Sequence, residues 1–188
     1  MKLNKIAVVK TGLVLFRKES RNSNGYEYKQ LNLKSVCDNG TIDIDDTVPF
    51  YASENLTSNY LTQTGDIIVR TSEPYTPVYI TREYAGLVIS SHFVVVRVDT
   101  SIAFSQYIAW YLNQERIKKS FRMSCTGILK QIKPSVIAET EIELPSLERQ
   151  KQVVALYDIS RKEIQLSEKL LREKEIYYQS LINKLNRM

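Results

Sequence analysis

The side chains that most often perform covalent or metal chemistry are sparse in this sequence. Histidine occurs once, at His92, and cysteine twice, at Cys37 and Cys125, far apart and with no Cys-x-x-Cys spacing. Three such residues cannot by themselves complete a four-ligand zinc site. A cysteine paired with His92 as nucleophile and base would need a flanking signature, and none is present. The glycines at 12, 25, 40, 65, 86 and 127 never form Gly-x-Gly, which removes the dinucleotide fingerprint and the phosphate loop. The one Glu-x-Lys, at Glu27-Tyr28-Lys29, has no aspartate before it, so the usual nuclease carboxylate pair is missing. No Asp/Asn-Pro-Pro-Tyr/Phe tetrapeptide occurs, so a typical amino-methyltransferase site is absent too. The chain reads as non-catalytic, with no metal and no cofactor of its own.

What the sequence offers instead is positive charge in blocks. The net charge is +5. Residues 1–40 hold 8 basic against 3 acidic side chains, and residues 41–60 hold 4 acidic and no basic ones. Between Arg116 and Lys133 lie six basic residues (Arg116, Lys118, Lys119, Arg122, Lys130, Lys133) and no acidic one. Brought together by folding, these blocks would make a phosphate-binding surface; left apart, they are solvated faces.

The elements that would position these residues are legible in outline. With 188 residues and 43% hydrophobic content, one compact domain plus an appended element is expected. Residues 2–10 predict a short amphipathic helix closed by Gly12. Residues 17–25 form a polar loop, 26–36 a strand, and Asn39-Gly40 a turn. A short helix is expected over 53–61. Gly65-Asp66 is a turn feeding the buried strand Ile67-Ile68-Val69-Arg70, and 71–77, with two prolines, is a loop leading to Val78-Tyr79-Ile80. Residues 86–98, rich in β-branched types, predict one central strand with His92 inside it. Ser101 caps a predicted helix over 102–121 whose apolar positions Phe104, Ile108, Tyr111 and Leu112 keep a helical period, with Tyr107 and Trp110 serving the core. Pro134 opens a small helix, and 141–144 predict a strand stopped by Pro145. No run of 18 uncharged apolar residues exists, and Lys10, Arg17 and Lys18 interrupt any signal-peptide core, so a reduced, cytoplasmic protein without a membrane span is expected.

From Ser146 onward the texture changes: Pro and Gly vanish. Ser146 is a good N-cap and Glu148 suits the first turn of a helix over 147–186, about 60 Å long at 1.5 Å per residue. Tyr157, Ile164, Leu171, Tyr178 and Leu185 recur every seventh position, and Leu156, Leu170 and Tyr177 widen the stripe. The second seam is poorly filled, with Ser160, Ser167 and Lys174 preceding Leu181. A self-sufficient zipper would hold leucine at most of those positions, so the arm suits a shared bundle. The fold class is therefore α+β: a globular domain over 1–145 with a mixed β-sheet and short helices, then a long C-terminal α-helix over 146–188 that packs in a coiled coil or bundle.

Three segments add a resemblance. They are the strand opening Gly65-Asp66-Ile67-Ile68, the run Thr126-Gly127-Ile128-Leu129-Lys130-Gln131-Ile132, and the junction Ile142-Glu143-Leu144-Pro145-Ser146-Leu147-Glu148-Arg149-Gln150. Their order, covering nearly the whole chain, resembles the target-recognition domain and following helical region of type I restriction–modification specificity subunits, whose junction reads I-x-(L/I)-P-x-L-x-x-Q. Ser146 stands where proline is commoner and Arg149 where glutamate is. Members usually carry two recognition domains and two helical regions in one polypeptide; this chain has one of each. The resemblance implies a half-subunit that pairs with a second copy, as a homodimer, and reads double-stranded DNA at a bipartite site. It also implies that S-adenosylmethionine belongs to partner adenine methyltransferase subunits, and ATP and Mg to restriction subunits.

No base-contacting residue follows from the resemblance, so chemistry selects them. Arg17, Lys18, Arg21, Asn22 and Asn24 combine phosphate-binding charge with amides that pair with adenine. Arg70, Thr71, Ser72 and Tyr75 set small hydrogen-bonding groups beside one arginine. Lys118, Lys119, Arg122 and Lys130 are expected as backbone anchors. Leu156, Tyr157, Ile164, Leu170, Leu171, Tyr177, Tyr178, Leu181 and Leu185 are the expected partner face of the arm. Two other readings stand beside this one: a single-half-site module exchanging into another specificity subunit's complex, and a coiled-coil protein that does not bind DNA.

Overall fold

The computed structural model describes residues 1–20, 25–125 and 130–187. Arg21, Asn22 and Asn24, and positions 126–129 of the Thr-Gly-Ile-Leu run, lie outside the described residues. The chain divides into two compact units, Met1–Gln150 and Lys151–Met188.

Two sheets build the first unit. The larger has the order β1-β7-β4-β5, from β1 (Ala7–Thr11), β7 (Phe93–Val98), β4 (Ile67–Arg70) and β5 (Pro77–Tyr79), every neighbour antiparallel. The smaller has the order β3-β2-β6, from β3 (Val48–Ala52), β2 (Tyr26–Leu31) and β6 (Val88–Ile89); β2 runs antiparallel to β3 and parallel to β6. Strand β7 is buried from Phe93 to Val96 on both of its faces, which is why its sequence is a continuous apolar run without alternation. Phe93 and Val95 join Leu31, Ile68, Val78 and Ile89 in one apolar core cluster. A second cluster, Leu13, Phe50, Ala52, Leu56 and Val88, packs on the smaller sheet. Helices α1 (Ser105–Leu112), α2 (Glu115–Ser124) and α3 (Pro134–Ala138) complete the unit, α1 against β5 and α3 against β1.

Several expectations need correction. The predicted helix over 2–10 is a three-residue 3-10 turn, Leu3–Lys5, followed by β1. Val8 and Val9 favour extended backbone, and pairing with β7 decides it. Gly12 is therefore not a helix cap: a Cβ there would sit 2.1 Å from the Ser90 carbonyl oxygen, so the glycine serves a close backbone approach.

The expected helix over 53–61 does not form, because its backbone groups bond to distant partners. The Ser53 N–H donates to the Lys18 carbonyl (2.8 Å), and the Leu56 N–H to the Tyr28 hydroxyl (3.0 Å). The Ser58 and Leu61 carbonyls accept from Arg97 (3.0 and 3.1 Å), whose guanidinium is anchored on the buried Asp66 carboxylate. The single strand expected over 86–98 is two strands in different sheets, separated by a turn at 90–92 that is closed by the Phe93 N–H to the Ser90 carbonyl (3.0 Å). The helix expected over 102–121 breaks into α1 and α2 at Asn113 and Gln114. Ser101 does not cap it; its hydroxyl donates to Asp99. Residues 141–144 form no strand, only a bridge between Lys2 and Glu141.

The long helix forms as expected. α4 (Leu147–Leu185) has 39 residues, about 58 Å of helix. The Arg149 N–H points to the Ser146 hydroxyl at 3.4 Å, the expected N-cap, and Glu148 lies in the first turn. The glutamine that closes the junction motif is buried in the first unit. Gln150 accepts from the Phe104 N–H at the start of α1 and donates to the Pro145 carbonyl, both at 2.9 Å. No helix among the described residues is long and apolar enough to cross a membrane.

Candidate nucleic-acid interface

Sheet register gathers three segments at one end of the larger sheet. Arg70 closes β4 opposite Phe93, the first residue of β7, and Val69 lies opposite Pro77. The loop 71–76 and the turn 90–92 therefore emerge side by side. Thr71 ties them: its N–H and hydroxyl both donate to the His92 carbonyl, at 3.0 and 2.9 Å. The Thr71 carbonyl in turn accepts from the Ile132 N–H at 2.9 Å, drawing in the segment that follows α2.

Tyr75 completes the fastening. Its backbone is in the left-handed region, with φ 56°, and its side chain is 1% exposed. The hydroxyl donates to the Lys130 carbonyl at 3.0 Å and lies 3.3 Å from the Cys125 sulfur, while its ring meets Phe121 edge-on at 6.2 Å. Burial, then the Cys125 contact, pushes its ionisation up to about 12. Thr71 and Tyr75, expected as DNA contacts, are therefore internal fasteners whose polar groups are already engaged.

The charged groups sort by what folding leaves available. Arg122 of α2 pairs with Glu115 and lies 3.6 Å from Glu73 in the loop, so it is a strut rather than a free anchor. Arg70 is half-buried, and its Nε donates to the Ser72 hydroxyl at 3.2 Å. Lys118 is half-buried, and that burial holds its ammonium below the usual lysine range. Lys119 and Lys130 are exposed and enter no ion pair among the described residues.

Arg17 and Lys18 are not brought to this cluster. They end a 3-10 turn, Leu15–Arg17, that leads to the edge of the smaller sheet, where Glu19 bridges Ala52 and Lys18 pairs with Glu54. The structure thus ties Arg70, Ser72, Arg122 and Lys130 to one stitched loop, leaves Lys118 and Lys119 on α2, the helix that carries Arg122, and places Arg17 and Lys18 on the other sheet.

Two exposed residues at the stitched end, Ser91 and His92, were assigned no role from the sequence. The polar triplet Ser90-Ser91-His92 interrupting an apolar run is the sequence signal for the exposed corner between β6 and β7. Among the described residues no three metal-ligating side chains converge.

On α4 the expected partner face stands in solvent: Leu156, Ile164, Leu170, Leu171, Tyr177, Tyr178 and Leu185 are exposed, and Tyr157 and Leu181 half-buried. Ile159, Leu166, Ile176 and Ile182 are exposed as well, so apolar side chains cover more of the helix than one narrow seam.

The family model described as type I restriction modification DNA specificity domain matches residues 1–175. The chain belongs to this family. Its fold is similar to that of the HsdS subunit from Thermoanaerobacter tengcongensis, at 16% identity and TM-score 0.69, over 90% of this chain and 43% of that one. A chain from work on complex assembly and conformational transition of the type I R-M system matches with TM-score 0.70, again at 16% identity and with 90% and 43% covered. The type I S subunit from M. genitalium matches at 13% identity and TM-score 0.52, over 89% and 40%. At these identities the likeness is one of fold. The specificity-domain chain spans less than half the length of these solved relatives. No curated protein matches it.

Proposed function

We propose that this specificity-domain chain is the DNA-reading component of a type I restriction–modification complex and is not itself an enzyme. Residues 1–145 form the target-recognition domain; residues 146–188 form an arm that pairs with a second copy. Two identical recognition domains related by a two-fold axis would read a bipartite site with inverted half-sites and an unspecified gap. DNA adenine methyltransferase subunits carrying S-adenosylmethionine, and restriction subunits using ATP and Mg, would be recruited partners in the cytoplasm.

The observation that carries the reading is the family match along 1–175. Two features of the molecule support it. Lys130, tied to a tightly fastened loop, and Lys119, on the helix whose Arg122 reaches that loop, are exposed and without ion pairs among the described residues, which suits phosphate contacts from a rigid scaffold. The solvent-facing apolar surface of α4 is too long to remain wet.

The test has two parts. The mass of the full chain in solution should be that of a dimer, and the methylation pattern produced with a methylating partner subunit should be a two-part motif with inverted halves. A monomer yielding a one-sided motif would favour the exchangeable single-half-site module. Absence of any salt-dependent binding to duplex DNA in the presence of the partner would favour the coiled-coil protein without a DNA role.

A further inference from the structure

We propose that His92 is a specificity-determining residue, its imidazole donating a hydrogen bond to a purine N7 in the major groove; this rests on the DNA-reading role proposed above. Reading a base requires hydrogen-bonding capacity left over after folding and a backbone that holds the group still. Around the stitched loop most polar groups fail the first requirement. Arg122 is held by Glu115 and Glu73, and the Tyr75 hydroxyl is buried; Arg70 has its Nε on the Ser72 hydroxyl and keeps only its terminal N–H groups, on a half-buried side chain. The exposed lysines keep their capacity, but an ammonium on a flexible four-carbon stem acts as a point charge suited to phosphate.

His92 meets both requirements. It is exposed, and its ring has no hydrogen-bond partner among the described residues. Its backbone is fixed on three counts: the carbonyl accepts two bonds from buried Thr71, at 3.0 and 2.9 Å, the carbonyl of buried Ser90, two residues before, accepts from the Phe93 N–H at 3.0 Å, and Phe93, the next residue, is fully buried in the central strand, paired with Arg70. The residue stands at the junction of the loop 71–76, the central strand and, through Thr71, the segment at Ile132. A neutral imidazole carries one N–H donor and one acceptor. In the major groove every base pair presents a purine N7 acceptor, and the groups beside it differ between pairs. The neighbouring exposed Ser91 hydroxyl offers a second contact to the same step.

The experiment uses the full chain in complex with its methylating partner subunit, acting on duplexes in which each base pair of the target is varied in turn. With His92→Ala, discrimination should fall at one base pair of each half-site by roughly 2- to 12-fold, the worth of a single hydrogen bond, and stay unchanged elsewhere. Replacing the purine at that pair by its 7-deaza analogue should reproduce the loss in the wild type and add nothing in His92→Ala. Lys119→Ala should weaken all sequences alike. The wild-type deaza series needs no variant and by itself overturns the role if it shows no sensitivity; should His92→Ala fail to fold, His92→Phe, which keeps a ring without a donor, takes its place in the double comparison. A selective wild type indifferent to 7-deaza purines at every position, or a His92→Ala complex with unaltered discrimination, overturns the role of His92 and leaves the DNA-reading proposal standing. A wild-type complex that selects no motif overturns both.

Discussion

Tyr75 shows how a side chain chosen for its chemistry can be claimed by the fold. A tyrosine in a polar loop beside an arginine is a plausible groove contact, yet its left-handed φ turns it inward, where its hydroxyl joins Lys130 to the loop. Burial raises its ionisation from the ordinary 10.0 to about 12. The sign follows: below pH 10 the folded and unfolded chains both hold the proton, and between the two values only the unfolded chain loses it, so stability falls as pH rises through that window. Tyr75→Phe should cost about 1 kcal/mol at neutral pH, the worth of the lost hydrogen bond, and should lose less stability than the wild type between pH 9 and 11. Urea denaturation at a series of pH values reads both effects; parallel curves for the two proteins would contradict the buried, raised tyrosine. Arg122 is a similar case. Its charge was legible, but its pairing with Glu115 and Glu73 depends on where α2 meets the loop.

At the scale of elements, the junction motif acquires a physical reason. Gln150 accepts from the N–H that opens α1 and donates to the Pro145 carbonyl that precedes α4, so one amide ties the start of α1 to the chain's exit from the first unit. Local sequence located α4 accurately because propensity, N-cap and the absence of Pro and Gly all agree. It misplaced the helices over 2–10 and 53–61 because these short segments take their hydrogen bonds from remote partners, β7 in one and Lys18, Tyr28 and Arg97 in the other. The apolar surface of α4 makes its own prediction. Leu170→Glu combined with Leu171→Glu places charge on the exposed stripe, where burial in a partner interface would be costly. The proposed dimer should become a monomer by light scattering with its helix content retained; a dimer that persists would locate the association elsewhere.

At the scale of the whole molecule, the proposed two-fold symmetry makes each substitution count twice. Each phosphate contact contributes about 0.9 to the slope of log affinity against log salt on duplex DNA. Lys119→Ala in a dimer should therefore flatten the slope by about 1.8, twice the single-contact value of about 0.9, and should leave the preferred sequence unchanged. A titration over several salt concentrations distinguishes the two, and an unchanged slope would remove Lys119 from the DNA face.

The family, the α+β class and the long helix were set by the sequence alone, because they depend on local quantities: residue period, capping residues, and a junction motif readable in order along the chain. Which polar side chains keep unused hydrogen-bonding groups was decided only by the tertiary structure. Availability is what folding leaves over, and Thr71, Tyr75 and Arg122 were engaged by groups as distant along the chain as His92, Lys130 and Glu73. His92 became visible the same way, since only the switch of the chain from the smaller sheet to the larger turns the middle of an apolar run into an exposed corner.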